Sequence, residues 1–191
     1  MSDDVEPLRI LTVCSHNRTR SVMIAAMLQS MLDDRFGRGG AIVSSAGFGP
    51  PDMSAIPDAV AAMAARGLDV SGHRSTAISE SVLDDADLVL TAERDHVVRI
   101  AMISRQAFGR TMTLPEFLAR SGAPIDVLAN GFGTWVGRLT EDRAAEAYLR
   151  EHVDEIADPT GTSRRVFAAA VDQMHEQCAM AADLITAHRQ V

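Results

Sequence analysis

Residues 8–36 read LRILTVCSHNRTRSVMIAAMLQSMLDDRF, and this stretch decides the fold. Its start, residues 8–13, is a short apolar run rich in β-branched residues, and residues 21–36 carry apolar side chains at helical spacing. Polar residues separate the two parts. The stretch therefore predicts a strand, a loop and a helix, which is the repeating unit of a parallel α/β sheet.

The same pattern returns along the chain. We predict further strands over 41–44, 86–90 and 110–114, and helices over 57–66, 94–103, 141–155 and 163–188. No internal repeat, low-complexity tract or linker interrupts them. We therefore expect residues 1–191 to form one α/β domain of three layers, with a central four-stranded parallel sheet flanked by helices. Residues 1–7 are expected to be a flexible tail and residues 121–150 a loop excursion.

Charge and composition exclude several classes of function. The chain has 18 basic and 26 acidic residues and a formal net charge of -8, so we expect neither nucleic acid nor a membrane surface as a partner. All basic residues are arginine. The absence of lysine excludes a Walker A phosphate loop, a Schiff base and a pyridoxal anchor.

The chain begins with an acidic segment, MSDDVEP, that lacks the basic and apolar regions of a signal peptide. No apolar run approaches the roughly 20 residues that span a bilayer. We expect a cytoplasmic protein. Its two cysteines, Cys14 and Cys178, cannot build a disulfide framework or a zinc site and are expected to remain thiols.

The loop between the predicted strand and helix begins after Cys14, and five residues separate Cys14 from Arg20 and Ser21. This spacing combines a candidate nucleophile with a candidate anion-binding group. Amide groups that point into such a loop, in front of a helix, bind an oxyanion and favour the thiolate form of cysteine. An arginine returning opposite the sulfur can bind two phosphoryl oxygens at once. Ser21 can donate a hydrogen bond to the sulfur, or it can be a plain helix cap.

At this point the sequence resembles the low-molecular-weight protein tyrosine phosphatases, together with the arsenate reductases that share their fold. The motifs that carry the resemblance follow the family order: the Cys14 loop, Ser45-Ala-Gly47, Gly72-His-Arg-Ser75, the strand at 85–90, and Asp158-Pro159. Residues 111–117, TMTLPEF, resemble a longer actinobacterial branch. The resemblance covers nearly the whole chain except 121–150.

The resemblance implies a role for each matching residue. Cys14 is expected to be the nucleophile, Arg20 to bind phosphate and the transition state, and Asp158 to act as general acid and then base. No metal or cofactor is implied. The remaining substrate-binding positions are Ser15, His16, Asn17, Arg18, Thr19, Ser21 and Phe48, with Ser45 and His73 as supporting residues behind the loop.

The chain departs from the family at the walls of the pocket. His16 replaces a usual glycine, and Thr19 replaces a second cysteine that can trap an oxidised nucleophile as a disulfide. Thr160 and Gly161 follow Asp158-Pro159 where the phosphatases often have aromatic residues. The candidates to replace that aromatic wall are Phe48, Phe132, Trp135 and Tyr148. We expect Cys178, on an apolar helical stripe, to pack in the core.

The function predicted from these residues is phosphomonoester hydrolysis through a cysteinyl-phosphate, with a phosphotyrosyl protein as the favoured substrate and a small phosphomonoester as a further possibility. Two other functions remain compatible. One is arsenate reduction with a low-molecular-weight thiol, which the His16-Asn17 pair favours. The other is a catalytically weak module that binds phosphate. The sequence makes no prediction of oligomeric state.

Overall fold

A computed structural model describes residues 6–122 and 131–189. Most of the expected tail, residues 1–5, and residues 123–130 of the expected excursion lie outside this part. The elements in chain order are β1 (Leu8–Cys14), α1 (Arg20–Phe36), β2 (Ala41–Gly47), α2 (Pro57–Ala64), α3 (Glu80–Asp84), β3 (Leu88–Thr91), α4 (Arg94–Ile103), a 3-10 turn (Gln106–Arg110), β4 (Thr111–Thr113), α5 (Leu114–Ser121), α6 (Phe132–Arg138), α7 (Ala145–Tyr148) and α8 (Arg164–Arg189).

The four strands form one parallel sheet in the order β2-β1-β3-β4. The predicted four-stranded parallel sheet is therefore confirmed. In this order the chain leaves β1 toward β2 on one side and later returns to β3 on the other side. The carboxyl end of β1 lies at this change of direction, which is where open α/β sheets bind their ligands.

Successive residues of β1 face opposite layers, which explains its continuous apolar run. Ile10 packs in a large core with residues of α1 and α8, whereas Leu11 and Val13 pack in a smaller core with residues of α3 and α4. Helices therefore cover both faces of the sheet. Among the helices in the described part of the chain, none is long and apolar enough to cross a bilayer.

The predicted helix over 141–155 is wrong. Only Ala145–Tyr148 is helical there, and the chain then runs without regular structure to Asp158. Tertiary contacts override the local helical preference, since the Arg94 guanidinium donates to the carbonyls of Tyr148 and Leu149. Further along, the Ile156 amide donates to the carbonyl of Ala92, 2.8 Å away, at the end of β3. The segment is thereby held at the carboxyl edge of the sheet.

The described part of the 121–150 excursion contains two short helices, Phe132–Arg138 and Ala145–Tyr148, and is anchored by a buried polar cluster. The Tyr148 hydroxyl donates to Glu116 Oε2 at 2.8 Å, and the Arg143 guanidinium donates to the Thr111 carbonyl at 2.8 Å. Burial and the neighbouring Glu116 carboxylate raise the pKa of Tyr148 above its usual value. The hydroxyl therefore stays protonated and remains a hydrogen-bond donor. The excursion is thus tied to α5 and β4.

Candidate active site

The loop at residues 15–19 joins the carboxyl end of β1 to the first residue of α1. Within residues 6–122 and 131–189, the backbone N–H groups of this loop donate to no other group of the protein. Free amides in front of a helix N-terminus form a site for an anion, and the 17 residues of α1 add the positive end of the helix dipole.

Cys14 ends β1 and is buried, with its Sγ 3.1 Å from Ser21 Oγ. The amide nitrogen of the Asn17 side chain donates to the same Ser21 oxygen at 2.9 Å. Because Asn17 is the donor in that bond, the Ser21 hydroxyl keeps its own hydrogen for the sulfur. A hydrogen bond donated to sulfur stabilises the negative charge of a thiolate, so this arrangement suits a nucleophile.

Asn17 holds the loop in a conformation that most residues avoid. Its φ is 53°, in the left-handed region that asparagine tolerates. Its side-chain oxygen accepts from the Thr76 amide at 2.8 Å, and its carbonyl lies 2.8 Å from His73 Nε2. A Cβ on Gly47 would lie 2.6 Å from the Asn17 nitrogen, so glycine is required where β2 meets the loop.

Arg20 is almost completely buried, with 2% of its surface exposed, and its guanidinium joins three parts of the chain. Nη1 contacts Glu93 Oε1 and donates to the Ile156 carbonyl at 2.9 Å. Nη2 donates to Asp158 Oδ2 at 3.0 Å. The Nε–H is buried and has no partner within the described residues. One donor of this arginine therefore remains available for a bound anion.

Asp158 is half-buried, and its other carboxylate oxygen accepts from the Thr160 amide at 3.0 Å. Burial raises the pKa of this carboxyl, but the hydrogen bonds from Thr160 and the charge of Arg20 outweigh burial, so the pKa lies below its usual value. Asp158 is thus a carboxylate when it is paired with Arg20. Loss of the Arg20 charge to another anion at Nη2 would favour a proton on this carboxyl.

The other loop residues line the rim of the site. His16 is exposed, and its ring lies against Gly49: a Cβ added to Gly49 would be 3.1 Å from Cδ2 of the ring. The Arg18 Nε donates to the Ser54 carbonyl at 2.8 Å, and the Thr19 hydroxyl lies 3.1 Å from that of Thr160. The rim of the pocket therefore consists largely of polar and basic side chains.

The aromatic residues proposed as a replacement wall are spread over the molecule. Phe48 follows β2, and its amide donates to the Ser15 carbonyl at 2.9 Å, so it lies beside the loop. Trp135 stacks on His188, with ring centroids 4.0 Å apart, near the far end of α8. Phe132 packs on Trp135, and Tyr148 is buried against Glu116. Phe48 alone of the four candidates contacts the loop.

Two of the remaining sequence candidates lie behind the loop or away from it. Ser45 pairs with Thr12 between β2 and β1, and its side chain makes no hydrogen bond within the described part of the chain. Cys178 is buried in α8, with Sγ 3.9 Å from the Ile24 carbonyl. Burial raises the pKa of Cys178 to about 12, so this thiol stays protonated and unreactive.

Sequence reasoning missed two residues at the start of α4. Glu93 contacts Arg20, and the Nε2 of His96 lies 3.0 Å from the Ser15 hydroxyl. The spacing Glu-x-x-His after a buried strand was a signal of a capped helix start. It did not reveal that the same two side chains reach Arg20 and the loop, because those contacts depend on how the start of α4, which follows β3, lies beside the carboxyl end of β1.

Comparison with known proteins points to one family. The family described as "Low molecular weight phosphotyrosine protein phosphatase" matches residues 9–129. The protein-arginine-phosphatase of Geobacillus stearothermophilus is 31% identical over 159 residues, which cover 83% of this chain and 99% of that protein. The probable low molecular weight protein-tyrosine-phosphatase EpsP of Ralstonia nicotianae is 39% identical over 143 residues, which cover 68% of this chain and 94% of that protein.

Solved structures agree with the sequence comparison. The structure of the YwlE arginine phosphatase from Geobacillus stearothermophilus superimposes with a TM-score of 0.69 and 26% identity. The match covers 93% of this chain and 92% of that protein. The shared fold thus extends beyond the part of the chain that the family model matches, residues 9–129.

Proposed function

Because the chain belongs to the low molecular weight phosphotyrosine protein phosphatase family, we propose that it hydrolyses phosphomonoesters through a cysteinyl-phosphate formed on Cys14. Arg20 and the free amides of residues 15–19 bind the phosphoryl group, and Asp158 transfers the proton. Two observations carry this proposal: the buried Arg20, whose Nε–H has no partner among the described residues, and Cys14, whose sulfur lies 3.1 Å from the Ser21 hydroxyl.

In the first step the Cys14 thiolate attacks phosphorus and forms the S–P bond while the P–O bond of the ester breaks. The bound phosphoryl group takes over Arg20 Nη2, which releases the Asp158 carboxyl to carry a proton. Asp158 gives that proton to the departing oxygen. The loop amides and Arg20 stabilise the charge on the phosphoryl oxygens in the transition state.

In the second step a water molecule attacks the cysteinyl-phosphate. Asp158, now a carboxylate, accepts a proton from the water as the new P–O bond forms. The S–P bond breaks, and the electron pair returns to Cys14 as a thiolate. The Ser21 hydroxyl, which keeps its hydrogen for the sulfur, stabilises that leaving thiolate. Inorganic phosphate then leaves the loop.

A phosphotyrosyl protein is the substrate class that we propose. One of the relatives is named a protein-arginine-phosphatase and another a probable protein-tyrosine-phosphatase, so membership of the family leaves two phosphorylated residues as candidate substrates. Arg18 places a positive charge on the rim, held there by the Ser54 carbonyl. This charge disfavours a guanidinium leaving group and is compatible with an uncharged phenol. We therefore expect faster release of phosphate from a phosphotyrosyl peptide than from a phosphoarginyl peptide of the same sequence.

The test is phosphate release from an aryl phosphate by the reduced protein between about pH 5 and pH 8. We expect Cys14→Ser to abolish turnover and Asp158→Asn to reduce kcat by about a hundredfold or more, since general acid catalysis contributes about 10²–10⁴-fold. Turnover that survives Cys14→Ser would contradict the cysteinyl-phosphate. Tight phosphate binding without turnover by the wild type would favour a binding module.

A further inference from the structure

His96 lies in the first turn of α4 and is the link between this helix and the catalytic loop. The side chain is buried, and its Nδ1 accepts a hydrogen bond from the Glu93 amide at 3.2 Å. Its Nε2 lies 3.0 Å from Ser15 Oγ. The ring also stacks on Phe48, with centroids 5.5 Å apart. The orientation of the imidazole is therefore fixed from three sides.

The hydrogen bond from Glu93 determines which ring nitrogen of His96 carries the proton. Nδ1 accepts from a backbone N–H and so has a free lone pair, which in a neutral imidazole leaves the hydrogen on Nε2. Burial lowers the pKa of His96 to about 4, so the ring is neutral near pH 7. Nε2 is consequently a donor, and Ser15 Oγ is the acceptor.

Ser15 Oγ receives a second hydrogen bond from Arg20 Nη2, at 3.4 Å. A hydroxyl oxygen has two lone pairs and one hydrogen. Both lone pairs face donors, so the hydrogen is directed away from His96 and Arg20. The described residues offer it no acceptor. The same Nη2 contacts Asp158, so this hydrogen lies beside the position where Arg20 would hold an oxyanion.

On the basis of the phosphatase function proposed above, we propose that His96 is a positioning residue of the phosphate site: it holds the Ser15 hydroxyl so that the hydroxyl donates to an oxygen of the bound phosphoryl group. Ser15 is then a third kind of donor in the site, beside the loop amides and Arg20. His96 acts through Ser15 and does not touch the substrate.

Two substitutions of His96 separate this role from a merely structural one. In His96→Asn the side-chain oxygen can replace Nδ1 and keep the bond from Glu93, but the donor to Ser15 is lost. In His96→Gln the terminal amide can replace Nε2 and keep the donor, but the cap is lost. If His96 were merely structural, His96→Gln would weaken phosphate binding more than His96→Asn. If His96 positions Ser15, His96→Asn will weaken phosphate binding more.

The measurement is the Kd of inorganic phosphate for the reduced full-length protein, together with kcat and KM for an aryl phosphate. We expect Ser15→Ala and His96→Asn each to weaken phosphate binding about tenfold, as expected for one hydrogen bond to a charged group. The double variant should be no weaker than either single variant, because both remove the same bond. His96→Gln should retain more phosphate affinity than His96→Asn while losing more thermal stability.

Ser79→Ala is the matched control. Ser79 caps α3 by accepting from the Val82 amide at 3.3 Å, and it lies outside the site. This variant should lose stability and keep phosphate affinity. Should Ser15→Ala fold and bind phosphate as the wild type does, the inference is wrong. The same holds if His96→Gln binds phosphate more weakly than His96→Asn.

The outcomes separate this inference from the proposed hydrolysis. A wild type that turns over aryl phosphate, with no effect of Ser15→Ala on phosphate binding, overturns the inference alone. A wild type without turnover, whose phosphate affinity nevertheless falls in Ser15→Ala and His96→Asn, overturns the hydrolysis and supports the role of His96. A wild type that neither binds nor hydrolyses overturns both.

Discussion

At the scale of single residues, the contacts of Arg20 link anion binding to proton transfer. Glu93 and the Ile156 carbonyl hold Nη1, so the plane of the guanidinium is set by the protein. Asp158 pairs with Nη2 from the solvent side, since 45% of its side chain is exposed while Arg20 is buried. In the proposed mechanism, an anion that takes Nη2 also releases the Asp158 carboxyl that carries the proton. Substrate binding would thereby prepare Asp158 as the general acid.

The first prediction concerns His96 and the stability of the protein in acid. Burial lowers the pKa of this histidine to about 4, compared with about 6.5 in the unfolded chain. Between these values the unfolded state binds more protons, so the free energy of unfolding falls as the pH falls. We expect this group to remove about 2 kcal/mol of stability between about pH 7 and pH 5.

Urea unfolding of the wild type and of His96→Gln at both pH values measures this contribution. The variant has no titrating ring, so its unfolding free energy should fall by about 2 kcal/mol less than that of the wild type over the same interval. An equal pH dependence in the two proteins would mean that His96 titrates normally in the folded state.

At the scale of elements, the sequence predicted those parts in which local pattern and tertiary packing agree. The stretch from β1 to α1 was predicted because its apolar spacing, its loop composition and its position in the sheet all point to the same structure. The prediction of a helix over 141–155 was wrong because arginines that are distant in sequence bind this segment and hold it in a different conformation. Arg94, for example, binds the carbonyls that end α7.

The residues of the candidate site also fall into two groups, those that the sequence predicted and those that it did not. Cys14, Arg20 and Asp158 are recognisable because their residue types and order are tied to the chemistry. Glu93 and His96 reach Arg20 and Ser15 because β3, which precedes α4, pairs with β1, and no short motif reports that contact. Of the aromatic candidates, Phe48 lies beside the loop, whereas Trp135 stacks on His188 near the far end of α8. The sequence does not tell which of these side chains faces the core.

The second prediction tests the contact between β2 and the loop. A Cβ at Gly47 would lie 2.6 Å from the Asn17 nitrogen and 2.8 Å from the Cys14 carbonyl oxygen, so Gly47→Ala must displace the loop. We expect a loss of about 1–3 kcal/mol in unfolding free energy. Turnover of aryl phosphate should fall by about tenfold or more, because small displacements of a catalytic group are costly.

Gly109→Ala is the control for this substitution, because a Cβ at Gly109 meets no atom of residues 6–122 and 131–189 within 4 Å. It should change neither turnover nor stability by much, about 0.5 kcal/mol at most. If Gly47→Ala is as active as Gly109→Ala, the close approach of β2 does not shape the catalytic loop.

At the scale of the whole molecule, the two cysteines have separate environments. Cys14 ends β1 at the loop, whereas Cys178 is buried in α8 with a pKa raised to about 12 by burial. Thr19 stands where a second cysteine would lie next to Arg20. An oxidised Cys14 therefore has no neighbouring thiol within the described residues with which to form a disulfide.

The third prediction follows from this separation. Peroxide should oxidise Cys14 to sulfenic acid and then to sulfinic and sulfonic acids, with loss of turnover that dithiothreitol does not restore after long exposure. Cys178→Ala should lose activity at the same rate as the wild type. Peptide mass spectrometry that finds a Cys14–Cys178 disulfide after mild oxidation would contradict this prediction.

The central claim is that the phosphoryl group passes through Cys14. The most direct measurement is an acid quench of the wild type during turnover of an aryl phosphate, followed by peptide mass spectrometry. The account predicts a phosphoryl adduct on the peptide that contains Cys14 and on no other. In Cys14→Ala, which has no nucleophile at this position, it predicts neither an adduct nor release of the phenol. A wild type that turns over substrate while every peptide stays unmodified, or an adduct on a different residue, would contradict the account.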